Sequence, residues 1–270
     1  MQPLDVKQFI RGLGALPMAR LRAARAGRLL RSVIQSSSPL SANARSAMVF
    51  APHQDDETFG CGGMIALKRS LNVPVEVVFL TDGCQSHGTR PAGEARKLVL
   101  ARKREALQAV SMLGITPPAV HFLDQPDGGL ETLSCEEHRR LIQQLVHLLQ
   151  SFQPEEVYVP HRKDRHVDHE ATYRLVKAAL VESELRAELL QYPVWLLWQA
   201  PMLCNAGAPE FRGAYQLAIG PARDAKDRAI EAYHSQHQST AAGAGVLPDG
   251  FLKQFLAPYE LFFKEEGSPL

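Results

Sequence analysis

Apolar residues in this chain come in short runs that stop at polar clusters, with stretches of helical spacing between them. Met48–Ala51 (M-V-F-A) ends at Pro52, and Val75–Leu80 (V-E-V-V-F-L) ends at Thr81, Asp82 and Gly83. Ala119–Leu123 closes on D-Q-P-D-G-G-L, and Glu156–Val159 runs into P-H-R-K-D-R-H-V-D-H. Such runs, bounded by turn residues, predict buried strands. Between them, Cys61–Leu71 predicts a helix with glycines in its first turn. Ala95–Leu113 predicts another, with Leu98, Ala106, Ala109 and Leu113 inward and Gly114 as its stop. Ser134 and Glu137 make a capping box for a helix carrying Leu141, Leu145 and Leu148. From Asp168 onward, Ala171, Leu175 and Ala178 share a helical face. This alternation predicts right-handed βαβ units around a mainly parallel sheet. Ligands bind beyond the carboxyl ends of such strands, where every acid and histidine cluster of this body falls.

The last third alternates less regularly. Tyr192–Trp198 and Tyr215–Ile219 read as strands, Ala222–His237 as a helix, Leu247–Leu256 as a short helix and Tyr259–Lys264 as a final strand. At the other end, residues 1–45 form a separate basic extension before a body at 46–270. Lys7, Arg11, Arg20, Arg22, Arg25, Arg28, Arg31 and Arg45 face only Asp5. From Pro17 to Gln35, Ala19, Ala23, Ala26, Leu30, Val33 and Ile34 share one arc, and Arg20, Arg25, Arg28 and Arg31 another. A basic amphipathic helix of this kind packs on the core or a second subunit, or lies on an anionic membrane surface through residues 17–35. Ser36–Ser46 reads as a linker.

Composition narrows the class. With 270 residues, 30 Lys plus Arg and 29 Asp plus Glu, the chain has ample core and no global basic excess to suggest nucleic acid. Cys61, Cys84, Cys135 and Cys204 are scattered, which fits a reducing compartment and neither a disulfide scaffold nor a zinc ribbon. No apolar run approaches the ~20 residues that span a bilayer. The first residues lack the apolar core and cleavage site of a signal peptide. The expectation is a cytoplasmic protein, peripheral to the inner membrane face if the basic helix binds lipid.

The chemistry concentrates after the first strand of the body, in P-H-Q-D-D-E-T-F-G-C-G-G at Pro52–Gly63. Buried charges at one strand end demand partners, which are metal ions or each other. His53 and Asp56, with one histidine of the distant H-V-D-H at His166–His169, give two nitrogens and one oxygen, a catalytic zinc set with a position left open. Without thiolate, Fe2+ or Co2+ also suits it. Asp55, beside a ligand and aimed elsewhere, is the natural base, and a second histidine could stabilise an oxyanion and protonate a leaving amine. Arg90, Asp82, His87 and Asp127 lie on loops at the same end of the sheet, where each could contact a substrate. F-G-C-G-G faintly suggests a dinucleotide loop, but its spacing departs from G-x-G-x-x-G and charged groups occupy the place of the phosphates.

The two motifs together resemble those of the PIG-L, or LmbE-like, N-acetylglucosaminyl deacetylases, P-H-P-D-D-E-x-x-G-x-G-G and H-P-D-H. Further matches are V-F-L-T-D-G at Val78–Gly83, A-R-K-R-E-A at Ala101–Ala106, F-L-D-Q-P-D-G at Phe122–Gly128, Y-P-V-W at Tyr192–Trp195 and K-D-R-A-I-E-A-Y-H-S-Q at Lys226–Gln236. The resemblance covers roughly residues 46–264. It implies a Rossmann-like α/β fold with helices on both faces of the sheet, and one divalent metal, usually Zn2+. It also implies hydrolysis of an N-acetyl group from a small-molecule, lipid-linked or polysaccharide-linked amino sugar, often by a homo-oligomer. His53, Asp56 and His169 match its metal ligands, Asp55 its general base, His166 its oxyanion-stabilising residue and Asp168 its supporting acid. Gln54 and Val167 stand where the family has proline, and Asp164 where some members carry a tyrosine. A zinc amidase for another N-acyl substrate, or a metal-binding scaffold without catalysis, are the alternatives.

Overall fold

A computed structural model describes residues 6–86, 88, 91–199, 211–237 and 246–264, with side chains from residue 21 onward. Eight strands form one sheet: β1 Ser38–Leu40, β2 Ala47–Ala51, β3 Val75–Thr81, β4 Val120–Gln125, β5 Glu156–Pro160, β6 Glu188–Tyr192, β7 Ala214–Ala218 and β8 Tyr259–Lys264. The helices are α1 Val6–Ser36, α2 Asp56–Ser70, α3 Ala92–Met112, α4 Cys135–Phe152, α5 Val167–Ser183, α6 Leu196–Gln199, α7 Arg223–Glu231 and α8 His234–His237. The spatial order is β1-β7-β8-β6-β5-β2-β3-β4. Every pairing is parallel except those of β8, which runs antiparallel to both β6 and β7. The Rossmann-like, mainly parallel α/β architecture read from the sequence is therefore present.

This order decides where a site can form. From β2 the chain steps outward through β3 to the edge strand β4, then α4 carries it back across to β5 on the other flank of β2. The adjacent carboxyl ends of β2 and β5 mark the reversal, where open parallel sheets leave a crevice. Side chains along β2 alternate as a strand buried on both faces requires. Ala47, Val49 and Ala51 pack with α2, α3 and α7 residues such as Ile65, Val110 and Ile230. Met48 and Phe50 pack with Leu141, Leu145 and Val176 of α4 and α5.

The glycines after β2 do not form a loose loop. Gly60, Gly62 and Gly63 lie inside α2, where side chains would collide. A Cβ at Gly60 would sit 2.1 Å from the Tyr192 ring, and one at Gly63 2.5 Å from Ile219. The stripe lets Tyr192 press flat on the helix and donate its hydroxyl to the Phe50 carbonyl at 2.8 Å. It also admits the buried Lys226–Glu260 pair: Glu260 accepts from the backbone N–H groups of Gly63 and Met64, while Lys226 donates to the Phe59 carbonyl.

Some expectations change at the periphery. Ser36–Ser46 is not a free linker, since it contributes β1 to the sheet beside β7. Part of the apolar side of α1 packs internally: Leu29, Leu30 and Val33 lie against Leu196, Leu197, Phe211, Leu261 and Phe263, while Arg22, Arg25, Arg28 and Arg31 are exposed. Tyr192–Trp198 is not one strand either, because β6 stops at Tyr192 and the chain turns into α6. Among the described residues no helix is long and apolar enough to cross a membrane. Cys61, Cys84 and Cys135 are free thiols. Cys204 lies outside the described residues.

Candidate metal centre and cleft

The turn after β2 and the turn into α5 meet at the switch point, and their side chains converge. Asp56, the first residue of α2, lies with one carboxylate oxygen 3.1 Å from His53 Nδ1 and 3.2 Å from His169 Nε2. Donors on a tetrahedral zinc at ordinary bond lengths are about 3.3 Å apart, so these separations suit a common cation. His169 Nε2 is fully buried without a hydrogen-bond partner, as a lone pair kept for a metal would be. Donor atoms of His53, His166 and His169 also fall within 4.8 Å of one another, as do those of His53, Asp127 and Asp168. The second trio is already spent on protein hydrogens, because Asp168 accepts from the Gly128 and Leu130 N–H groups and Asp127 from Gln85.

Each histidine on Asp56 is oriented from behind by carboxylates, an arrangement that fixes the tautomer of metal-ligating imidazoles. His53 Nε2 points to Asp168 at 3.1 Å and Asp127 at 3.2 Å, leaving Nδ1 for Asp56. His169 Nδ1 donates to Asp164 at 2.7 Å, leaving Nε2 free. The electrostatics express the same demand for positive charge. Burial alone would lower His53, yet Asp127, Asp168 and Asp56 hold it well above the ordinary imidazole range. His169 is likewise carried, against burial, up to about 9 by Asp56 and Asp164. Burial would raise Asp56, but His169 and His53 outweigh it and hold that carboxyl below its usual range. Where no metal is bound, protons on these histidines take the place of the cation.

Asp55 faces away from this cluster. Its backbone takes φ 143°, ψ −29°, a region disfavoured for non-glycine residues and tolerated where surrounding bonds enforce it. Glu57 supplies that enforcement by accepting the Asp55 N–H at 3.1 Å; the Tyr233 and Thr58 hydroxyls hold Glu57 in turn. Desolvation pushes the Asp55 carboxyl up to about 8, moderated by the Arg102 guanidinium 3.6 Å away. Arg102 is itself buried, donating to the carbonyls of Gln54 and Gly83. Gln54, where the resemblance expects proline, anchors the turn by donating to the Thr81 carbonyl at 2.7 Å.

These groups open on a cleft of about 350 Å³. One wall is polar, with Asp55, Gln85, Ser86, Arg102, Asp127, His166 and Gln236; the other carries Phe59, Val194, Trp195, Leu247 and Phe251. Burial, then the charges on His169 and His53, lower His166 to about 4, so its imidazole is neutral at pH 7. The structure thus brings His53, Asp55, Asp56, Asp127, His166, Asp168 and His169 together. Asp127 lines the cleft as expected but spends one oxygen on His53 and the other on Gln85. Asp168 is buried against His53. Asp82 does not line the cleft, because its carboxylate closes its own turn on the Cys84 N–H. Arg90 and His87 lie outside the described residues. Sequence reasoning missed the roles of Arg102, Trp195 and above all Asp164, whose partners are distant in the chain.

Fold and site define an α/β protein whose sheet switch point carries a carboxylate–histidine cluster fit to hold a cation. The PIG-L family model, described as GlcNAc-PI de-N-acetylase, matches residues 48–180. The chain is 32% identical over 145 residues to a probable N-acetyl-alpha-D-glucosaminyl L-malate deacetylase 2 of Bacillus anthracis, covering 51% of this chain and 60% of that protein. Less than two thirds of that relative is therefore spanned. A conserved protein from Thermus thermophilus superposes with TM-score 0.59 at 25% identity, over 84% of this chain and 96% of that one. GalB, the 4-carboxy-2-hydroxymuconate hydratase from Pseudomonas putida, superposes with TM-score 0.60 at 21% identity, over 78% and 82% of the two chains. The hydratase shares the fold alone, so the reaction has to be argued from the site.

Proposed function

We propose that this chain is a metal-dependent hydrolase that removes the N-acetyl group from an amino sugar of the N-acetylglucosamine type, giving acetate and a free amine. The observation that carries this reading is the convergence of His53 Nδ1 and His169 Nε2 on one oxygen of Asp56, with Asp55 turned aside into the cleft. The family description and the Bacillus anthracis relative's name point to the same substrate class.

His53, Asp56 and His169 would hold one divalent cation, and a histidine–carboxylate set without thiolate suits Zn2+, with Fe2+ or Co2+ also accepted. When bound, the cation supplies Lewis acidity toward the amide carbonyl and makes water acidic enough to attack at neutral pH. Asp55 accepts the proton of the attacking water, a task suited to a carboxylate that lines the cleft without being a ligand. The neutral His166 imidazole donates an N–H to the oxygen that gains charge in the transition state. The proton held on Asp55 then passes to the nitrogen as the C–N bond breaks. Asp168 and Asp127 keep His53 in the tautomer this requires, and Trp195 and Phe251 offer an apolar face to one side of the sugar ring.

The test combines metal analysis of the purified protein with fluorescamine detection of amine released from a panel of N-acetylglucosamine conjugates. Stoichiometric metal with metal-dependent amine release is the expected result. Absence of metal under all loading conditions would refute the hydrolase reading. Metal without amine release across the panel would replace it with a non-catalytic scaffold or a different reaction on the same fold.

A further inference from the structure

Asp164 is a carboxylate that the proposed reaction does not call upon, yet it accepts from four donors. It lies in the turn between β5 and α5 with 0% relative exposure. One oxygen accepts the N–H groups of Val194 and Leu196, both at 2.9 Å. The other accepts the N–H of Trp195 at 3.0 Å and His169 Nδ1–H at 2.7 Å. The three backbone donors open α6 directly after β6, and they carry Trp195. Its indole packs 4.5 Å from Phe251 and stacks at 6.4 Å on the His166 ring, forming the apolar wall of the cleft.

We propose that Asp164 is a positioning residue that couples the metal ligand His169 to the Trp195 wall, so that cation binding and ordering of the cleft wall depend on each other. The inference rests on the assignment of His169 as a ligand. All the groups on Asp164 are donors, so the position requires a side chain that only accepts. A cation on His169 Nε2 would fix the position of the imidazole, and the Nδ1–H of that ring holds the carboxylate in the orientation from which it captures Val194, Trp195 and Leu196. Asparagine has nearly the same shape and cannot do both tasks. With its amide oxygen toward Val194 and Leu196, its NH2 faces His169 Nδ1 and forces the proton onto Nε2, where the cation would bind. With the amide reversed, the NH2 faces two backbone donors and the wall is released.

The experiment uses Asp164→Asn in a Trp198→Phe background, because the chain has two tryptophans and this leaves Trp195 as the only reporter. Zinc affinity is read by chelator competition, Trp195 exposure by acrylamide quenching, and KM and kcat on the best conjugate from the amine-release panel. The expected result is a 10- to 100-fold loss of zinc affinity, the size typical for removing the group behind a metal ligand. At saturating zinc, Trp195 is more strongly quenched and KM rises about tenfold, with kcat changed less. A purely structural role would lower the melting temperature without moving the zinc constant. Zinc affinity within twofold of the parent, or unchanged Trp195 quenching, overturns the coupling. If Asp164→Asn does not fold, the Trp198→Phe protein measured with and without zinc decides the matter: chelation must increase Trp195 quenching, and no change overturns the proposal. His169→Ala separates this inference from the reading beneath it. Loss of zinc in His169→Ala with zinc retained in Asp164→Asn refutes the coupling alone, whereas zinc retained at full occupancy in both refutes the ligand assignment.

Discussion

Asp55→Asn isolates the proton-accepting step. The substitution preserves shape and leaves untouched the backbone bonds that fix the residue: Asp55 N–H to Glu57, and the Thr58 and Phe59 N–H groups to the Asp55 carbonyl. The Asp55 carboxylate is not the group that bridges His53 and His169, so zinc should bind the variant within about threefold of the parent. What disappears is a base, and positioned proton transfer contributes about 10²–10⁴-fold. At 1.36 kcal/mol per tenfold, the barrier rises by about 3–5 kcal/mol. Stability should move the other way. In the metal-free protein burial raises the Asp55 carboxyl from 3.8 to about 8, so the folded state disfavours its charge. An acid raised in the folded state lowers stability as pH climbs from its unfolded pKa toward its folded one. At pH 7 metal-free Asp55→Asn should therefore melt no lower than the parent. The assays are zinc titration, amine release under saturating substrate and calorimetry of the stripped protein. Zinc loss in the variant, or turnover within tenfold of the parent, would remove Asp55 from the role of base.

His169→Ala should abolish stoichiometric zinc binding, because it removes a buried nitrogen at the centre that has no hydrogen-bond partner; metal analysis after dialysis shows the outcome. Gly60→Ala should destabilise the fold by about 1–3 kcal/mol, since overpacking against the Tyr192 ring outweighs the helix-propensity gain of about 1 kcal/mol. Urea unfolding at pH 7 measures it, and a variant as stable as the parent would refute the packing argument. Glu156→Gln should cost about 3–5 kcal/mol at neutral pH, because it strips a buried partner from Lys68 and Arg45. Burial opposes the Glu156 charge, but Lys68 and Asn43 hold its folded pKa below 4.5, so its contribution is complete above pH 4.5 and fades as pH falls below it. The gap between parent and variant should shrink through that window, and a gap independent of pH would show that charge is not the cause.

The parts of the site legible in the sequence are those set by one strand and the turn after it. A short apolar run that stops at charged residues specifies both the strand and the end at which its chemistry sits, so His53, Asp55, Asp56, His166 and His169 could be read from their segments. Chain order alone does not say that the segments meet. That follows from the reversal of the sheet, which puts β5 beside β2. The glycines show what local reading misses. Their spacing suggests only the opening turn of a helix, yet Gly60 and Gly63 exist to receive Tyr192 and Ile219, residues far along the chain.

Tyr192–Trp198 fails for the complementary reason. Its apolar, aromatic composition predicts a strand, and β6 does continue to Tyr192. Beyond Pro193, the Asp164 carboxylate gathers the N–H groups of Val194, Trp195 and Leu196, and an acceptor placed against successive N–H groups starts a helix whatever the local β preference. A single charged residue therefore overrides the propensity of the segment. It is the residue that also accepts from His169, so the place where the sequence misleads about secondary structure is the place where the cleft wall is tied to the histidine–carboxylate cluster. That coincidence is what a functional constraint on backbone course produces, since local preference yields only where tertiary bonds compensate for it.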